Sequence, residues 1–268
     1  MERDTANVVD MLNADLFGEH EAIVYYLTHA WTVARRYGQE VLEIANDEMR
    51  HFKWLGHTIS RLGGVPDLTT PEIGPVSTIQ SALKQDIAVE IQAIEQYERH
   101  IDAIPQDAIK GLLRRINADE VDHLRQFREL LDQSHGEPET VARPNTEVRG
   151  VAEKLQEGVA LEYQQMLAYL RRSFIPDHGE RLGLDAEERS VDEMRHMGWI
   201  GRHLGQMGWQ ASFPRVNPDD IPRGEREEAD LYANVRQWAE TSMPALVPTL
   251  DRIIAHEEYH LAHPPEAD

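Results

Sequence analysis

Asp47-Glu48-Met49-Arg50-His51 and Asp119-Glu120-Val121-Asp122-His123 carry the same Glu-x-x-His pair on two separate stretches of chain. A spacing of three puts the Glu and the His on one face of a helix. Outward from the first pair, Val41, Ile44, Glu48, His51, Leu55, Ile59 and Leu62 recur at helical period. Around the second, Ile109, Leu113, Ile116, Glu120, His123, Phe127 and Leu130 do the same. Leu12, Leu16, Glu19, Ile23, Tyr26 and Ala30 make a third stripe, and Ile79, Leu83, Asp86, Glu90, Ile94, Tyr97 and Ile101 a fourth. A mostly apolar stripe faces a core. All four are interrupted near the middle by carboxylates or His, so four helices share one interior with ionisable groups at its centre.

Burying an ionised carboxylate without a partner is very costly. Several at one depth repel each other and are driven to protonate unless positive charge lies between them. Two His neutralise that charge less completely than a metal pair does. A di-metal centre therefore accounts for the pattern: one Glu from each of two helices, Glu19 and Glu90, and a Glu-x-x-His pair from each of the other two. The plain alternative is a polar network without metal. Against it, Glu-x-x-His occurs four times in this chain, each on a core stripe, where chance would give about one or two.

Breakers divide the 268 residues into two similar halves. Helices are predicted over Thr5 to Tyr37, Gln39 to Leu62, Ser77 to Ile104 and Gln106 to Leu131. The turn-rich stretch from Gly63 to Pro75 is too long for a hairpin and reads as a crossover between the second and third helices. Ser134 to Asn145 reads as a linker. The pattern then repeats over Glu147 to Phe174, Asp185 to Met207, Glu225 to Ser242 and Ala245 to Ala262, with a second long connection from Gly208 to Gly224. The fold class is all-α: two tandem four-helix bundles, residues 1–135 and 146–268, each with one long crossover.

Composition narrows the chemistry. Hydrophobic residues form 41% of the chain, enough for packed cores. There is no cysteine, which excludes disulfides, iron–sulfur clusters and thiolate zinc sites. A net charge of −21 repels nucleic acid and attracts cations. No apolar run of membrane-spanning length occurs. Met1-Glu2-Arg3-Asp4 does not open a signal peptide, so a cytoplasmic protein is expected.

The motifs resemble the ferritin-like superfamily, and bacterioferritins most closely. The likeness lies in Leu12-Asn13, Glu19, Ala22-Ile23, Tyr26 and His29-Ala30, in the two five-residue motifs above, and in Asp86-Ile87-Ala88-Val89-Glu90. It implies that Glu48 and Glu120 bridge two iron ions, that Glu19 and Glu90 are terminal carboxylates, that His51 and His123 are nitrogen ligands, and that Tyr26 stands close to the site. It also implies ferroxidase chemistry, the oxidation of Fe(II) by oxygen or peroxide. Met49 and Met194 follow their Glu where such proteins place the axial ligand of a shared haem; filling a seam between helices is the commoner use of Met.

The second half matches in part. Glu162 and Tyr169 keep the spacing of Glu19 and Tyr26, Glu193-Met194-Arg195-His196 nearly repeats Glu48 to His51, and Glu257 with His260 supplies the last pair. Its third helix is ambiguous. Counting back from Glu257 lands on Glu227, stripe geometry also admits Glu228, and direct alignment gives Asn234, a poorer ligand for iron. Glu227 is taken with the other ligands. Iron against manganese, a homo-oligomer, a catalase-like or oxidase enzyme without storage, and a non-enzymatic haem or metal-binding protein all stay open. The five Trp are expected in cores or at interfaces, and His57, His100, His135, His178 and His203 at the surface or behind the ligands. Of His256, His260 and His263, only His260 is expected to face the bundle.

Overall fold

A computed structural model describes residues 2–32, 37–134, 143–175, 179–216 and 224–263. The chain forms two compact units, Met1–Val141 and Ala142–Asp268. The first contains α1 (Glu2–Thr32), α2 (Gly38–Arg61), α3 (Ile79–Ala103) and α4 (Asp107–Gln133). The second contains α5 (Arg149–Ser173), α6 (Gly179–Gln206), α7 (Glu225–Ser242) and α8 (Val247–Ala262), with short 3₁₀ turns before α5 and α8. Each unit is a four-helix bundle with a long connection between its second and third helices. The expected linker falls largely on residues 135–142, and part of the second crossover on 217–223, both outside the described residues. Among the described residues no helix is long and apolar enough to cross a membrane.

In the first unit, α1 packs along α2 and α3 along α4, and the α1–α3 contact joins the two hairpins. The core is made by the stripes read above: Leu12, Leu16, Ile23, Leu55, Leu113 and Ile116 are at most 1% exposed. Each such side chain contributes about 1.5–3 kcal/mol of hydrophobic stabilisation. In the second unit α5 pairs with α6, α7 with α8, and α5 with α7.

Local chemistry sets the helix limits. Thr78 and Ser81 form a reciprocal cap at the start of α3, each side-chain oxygen accepting the other's backbone N–H at 3.0 Å. Pro105 disfavours helical geometry at Ile104, whose extended backbone ends that helix. α6 begins at Gly179, about a turn and a half ahead of the expected Asp185.

Both crossovers start and are held alike. Gly63 and Gly208 adopt φ of 79° and 77°, a left-handed turn that closes α2 and α6. The following N–H groups, of Gly64 and Trp209, bond back to Ile59 and Leu204. A side-chain amide one helix over then grips each crossover. Asn13 donates to the Val65 carbonyl at 3.1 Å and accepts from the Asp67 N–H at 2.9 Å. Gln156 makes the same two-way bond with Ser212. Asn13 stands six residues before Glu19 and Gln156 six before Glu162, so the arrangement belongs to both halves.

Gly63→Ala and Gly208→Ala are each expected to cost about 1–2 kcal/mol, since the Cβ strains the left-handed backbone. Gly111→Ala, in the second turn of α4 with nothing near the added Cβ, is expected to gain up to about 1 kcal/mol. Thermal unfolding of the full chain checks all three.

Candidate metal centre

In the first unit Glu19 from α1, Glu48 and His51 from α2, Glu90 from α3, and Glu120 and His123 from α4 converge at mid-bundle, none more than 3% exposed. His51 Nδ1 lies 2.9 Å from Glu120, 3.1 Å from Glu48 and 3.4 Å from Glu19. His123 Nδ1 lies 2.9 Å from Glu48, 3.4 Å from Glu120 and 3.9 Å from Glu90. Two ligand-like groups result: Glu19, Glu48, His51 and Glu120, and Glu48, Glu90, Glu120 and His123. They share Glu48 and Glu120. Two adjacent positions with two carboxylates common to both is the geometry a bridged metal pair requires.

The protein's own bonds leave this centre unsatisfied. Glu19 Oε2, Glu48 Oε1, Glu90 Oε2, Glu120 Oε1 and His123 Nδ1 are buried without a hydrogen-bond partner. His123 Nδ1 and Glu48 Oε1 touch, yet not in hydrogen-bond geometry. Such atoms are costly to bury. Lone pairs that face a common point instead of a donor suit a cation, and four carboxylates with two imidazoles match the donors of divalent iron or manganese.

Charge tells the same story. Burial, then repulsion from Glu120 and Glu48, pushes the Glu19 carboxyl well above its ordinary range. Burial, then Glu48 and Glu120, does the same to Glu90. Burial would also raise Glu48, but the His123 and His51 imidazoles set against it outweigh that and hold the carboxyl low. Burial works against charge on both His, yet the surrounding carboxylates raise His51 and push His123 up to about 11. Without metal, the centre holds its fold by keeping protons.

Around the centre each hairpin serves the other. The Asp before each Glu reaches across to the opposite His: His51 Nε2 meets Asp119 at 3.1 Å, and His123 Nε2 faces Asp47 at 3.6 Å. A carboxylate there fixes the ring so that Nδ1 is presented to the interior. Tyr26, expected beside the site, donates to Glu90 Oε1 at 2.6 Å. Tyr97, not singled out from sequence as more than a core residue, donates to Glu19. α1 and α3 in fact share a pattern, Asp-x3-Glu-x6-Tyr-x2-His: Asp15, Glu19, Tyr26 and His29 on one, Asp86, Glu90, Tyr97 and His100 on the other. The pairs cross over, with His29 on Asp86 at 2.6 Å and His100 on Asp15 at 2.8 Å. Comparing the two helices with each other, and not only the two halves, would have exposed this repeat.

The second unit gathers Glu162, Glu193, His196 and Glu257 into one group. His196 Nδ1 lies 2.8 Å from Glu257 and 3.1 Å from both Glu162 and Glu193. His260 Nδ1 lies 3.7 Å from Glu193, and its Nε2 faces Asp192 at 3.5 Å. The expectation of Glu227 is corrected: Glu227 is exposed, whereas Glu228 is fully buried and both its oxygens lack hydrogen-bond partners. Burial, then Glu162, Glu193 and Glu257, raises the Glu228 carboxyl well above its ordinary range, which places it beside them. The one-residue error arises because the count assumed like turns, and a 3₁₀ turn, Pro244–Leu246, opens α8. Asn234 is exposed and bonds its own helix at the Asp230 carbonyl.

Other expectations shift too. Tyr169, which keeps the spacing of Tyr26, is half-buried under the Arg189 guanidinium, 5.9 Å from its ring; Tyr232 donates to Glu162 at 2.6 Å, as Tyr97 does to Glu19. His256 replaces the counterpart of Asp119 and lies 3.2 Å from His196 Nε2. Trp54 and Trp199 lie 5.7 and 5.6 Å from the His51 and His196 rings, capped by Arg115 and Arg252. Met49 and Met194 are 3% and 5% exposed. Among the described residues nothing supports the haem expectation. His135 and His178 lie outside the described residues.

A search of curated proteins finds no match. Among solved structures, a bacterioferritin from Desulfovibrio desulfuricans, described by its di-iron site, is 23% identical, covering 49% of this chain and 82% of its own, with a TM-score of 0.48. The ferritin-like domain family matches residues 9–135. The first unit is thus similar to the ferritin-like domain family over residues 9–135, and the second unit has the same order of four helices.

Proposed function

We propose that this protein is a ferroxidase-type di-iron protein that oxidises Fe(II) with oxygen or peroxide, and so handles or detoxifies iron. The observation that carries this is the sharing of Glu48 and Glu120 between two adjacent groups of buried, under-bonded ligand atoms. When bound, the metal pair supplies electrons to the oxidant. Everything else falls to the chain. Glu48 and Glu120 would be shared by the two metal ions, and Glu19 with His51 and Glu90 with His123 would each complete one position. Asp119 and Asp47 hold the two rings in orientation, and the Tyr97 and Tyr26 phenols hold Glu19 and Glu90 against rotation. In the second unit Glu162, Glu193, His196, Glu228, Glu257 and His260 would make the equivalent set.

Anaerobic Fe(II) titration of metal-free protein is expected to give four tightly bound ions per chain, two for each unit. Glu48→Ala should leave two. Glu228→Ala should lower the count at the second centre, and Glu227→Ala should leave it unchanged. No stoichiometric binding of either Fe(II) or Mn(II) would sink the di-metal reading.

Stability should report the same centre through pH. Glu19 and Glu90 have folded pKa values above their ordinary 4.5, so the folded chain keeps protons that the unfolded chain has released. That makes the metal-free fold weaker as pH rises past 4.5. His123, ordinarily 6.5 and about 11 when folded, adds stability that is whole below 6.5 and fades as pH climbs toward 11. Glu48, held low, contributes fully at any pH above 4.5. The melting temperature of metal-free protein is therefore expected to fall as pH rises above about 6.5 toward about 11. The metal-loaded protein, whose ligands need no protons, should fall less, and calorimetry of both forms decides it.

A further inference from the structure

Two positions that are large in the first bundle are small in the second. Counted from the ligand carboxylates of their helices, Gly158 and Val235 match Asp15 and Tyr97, while Trp238 matches His100. Tyr232 refills the space beside Gly158, where an added Cβ would lie 2.8 Å from its hydroxyl. Beside Val235 the second unit keeps a pocket of about 550 Å³, between the start of α5 and the middle of α7. Protein interiors seldom leave such voids, and the volume suits a small molecule, whose sites span roughly 300–1,000 Å³. Val151, Leu231 and Val235 form its apolar wall. Trp238, 37% exposed, brings an indole to its mouth.

The polar groups around the pocket select the sign of its occupant's charge. Lys154 lines it, but the ammonium is already paired with the Glu157 carboxylate at 2.7 Å. Asn234 donates its amide N–H to the Asp230 carbonyl at 2.8 Å, so its Oδ1 is the atom left to accept. Glu147 adds a carboxylate with no cation paired to it among the described residues. An indole face attracts cations through its quadrupole, and the net charge of −21 draws them to the whole chain. We propose that this pocket binds a small organic cation, an aromatic or otherwise apolar body carrying an ammonium group. The body lies against Val151, Leu231 and Val235, and the charge is met by Trp238 and Glu147. The site is independent of the di-metal reading, since none of its lining residues is a ligand there.

Three probes that share a ring and differ in head group test this: naphthylmethyl-trimethylammonium, naphthalenemethanol and naphthaleneacetate. Full-length protein is titrated by calorimetry in about 0.15 M salt, where the field of distant charges is screened beyond about 8 Å. One saturable site per chain is expected for the ammonium. The alcohol should bind about tenfold more weakly, and the acetate more weakly still. Trp238→Ala and Glu147→Gln should each weaken the ammonium about fivefold or more. Lys154→Met should not weaken it, and Tyr259→Ala, which removes an exposed aromatic outside the pocket, should leave it unchanged. Circular dichroism of each variant checks that the fold is kept. Acetate binding as tight as that of the ammonium would overturn the choice of a cation. No saturable site for the ammonium, or one that Trp238→Ala and Glu147→Gln both leave unchanged, would overturn the pocket as its site. A concentration-dependent dimer that Trp238→Ala abolishes, with no binding of the ammonium, would overturn it too and give the pocket to a second copy of the chain.

Discussion

Carboxylates packed into the centre of an apolar bundle repel one another, and the cost of confining them governs much of this structure. Coulomb repulsion is strong where water is excluded. In the first unit Glu19, Glu48, Glu90 and Glu120 lie at one depth, and the chain answers with imidazoles among them, phenols on the outermost pair and aspartates behind the imidazoles. These are partial remedies. Oxygens left without donors and carboxyls forced to keep protons mark a site built for a charge that the side chains do not provide. The surrounding Leu, Ile and Phe exclude water and so make the demand for that charge stronger.

The two bundles meet the demand differently. The first is close to symmetric within itself, its two hairpins exchanging aspartates, tyrosines and histidines across the centre. The second keeps the same inner ring but replaces much of what lies behind it. His256 stands in for an aspartate, Gly158 and Trp238 for an Asp–His pair, and a tyrosine one turn nearer the α7 carboxylate supports Glu162. A small residue and a displaced large one are complementary here: Tyr232 reaches Glu162 because position 158 carries no side chain.

What could be read from sequence follows from how local each signal was. Glu48 with His51 and Glu120 with His123 were legible because both partners ride one helix turn and interrupt an apolar stripe. The crossovers were legible from their breakers. The third-helix ligand of the second bundle was not, since Glu227 and Glu228 differ by about 100° on a helix and only the true turn geometry chooses between them. Tyr97, Asp15 and His100 were hidden for another reason. Each reads singly as core or surface, and their meaning lies in pairing across 78 and 85 positions of chain.

The unequal packing of the first bundle has a mechanical side. Its hairpins are joined by α1 against α3, whereas α2 and α4 approach each other less closely. Glu48 and Glu120 sit on those looser helices. An ion pair held between them would act as a clasp on the open seam, closing a loop of roughly the length between the two motifs, much as a cross-link restrains a denatured chain. In a protein without cysteine, loading the centre would then be the step that locks the two hairpins together.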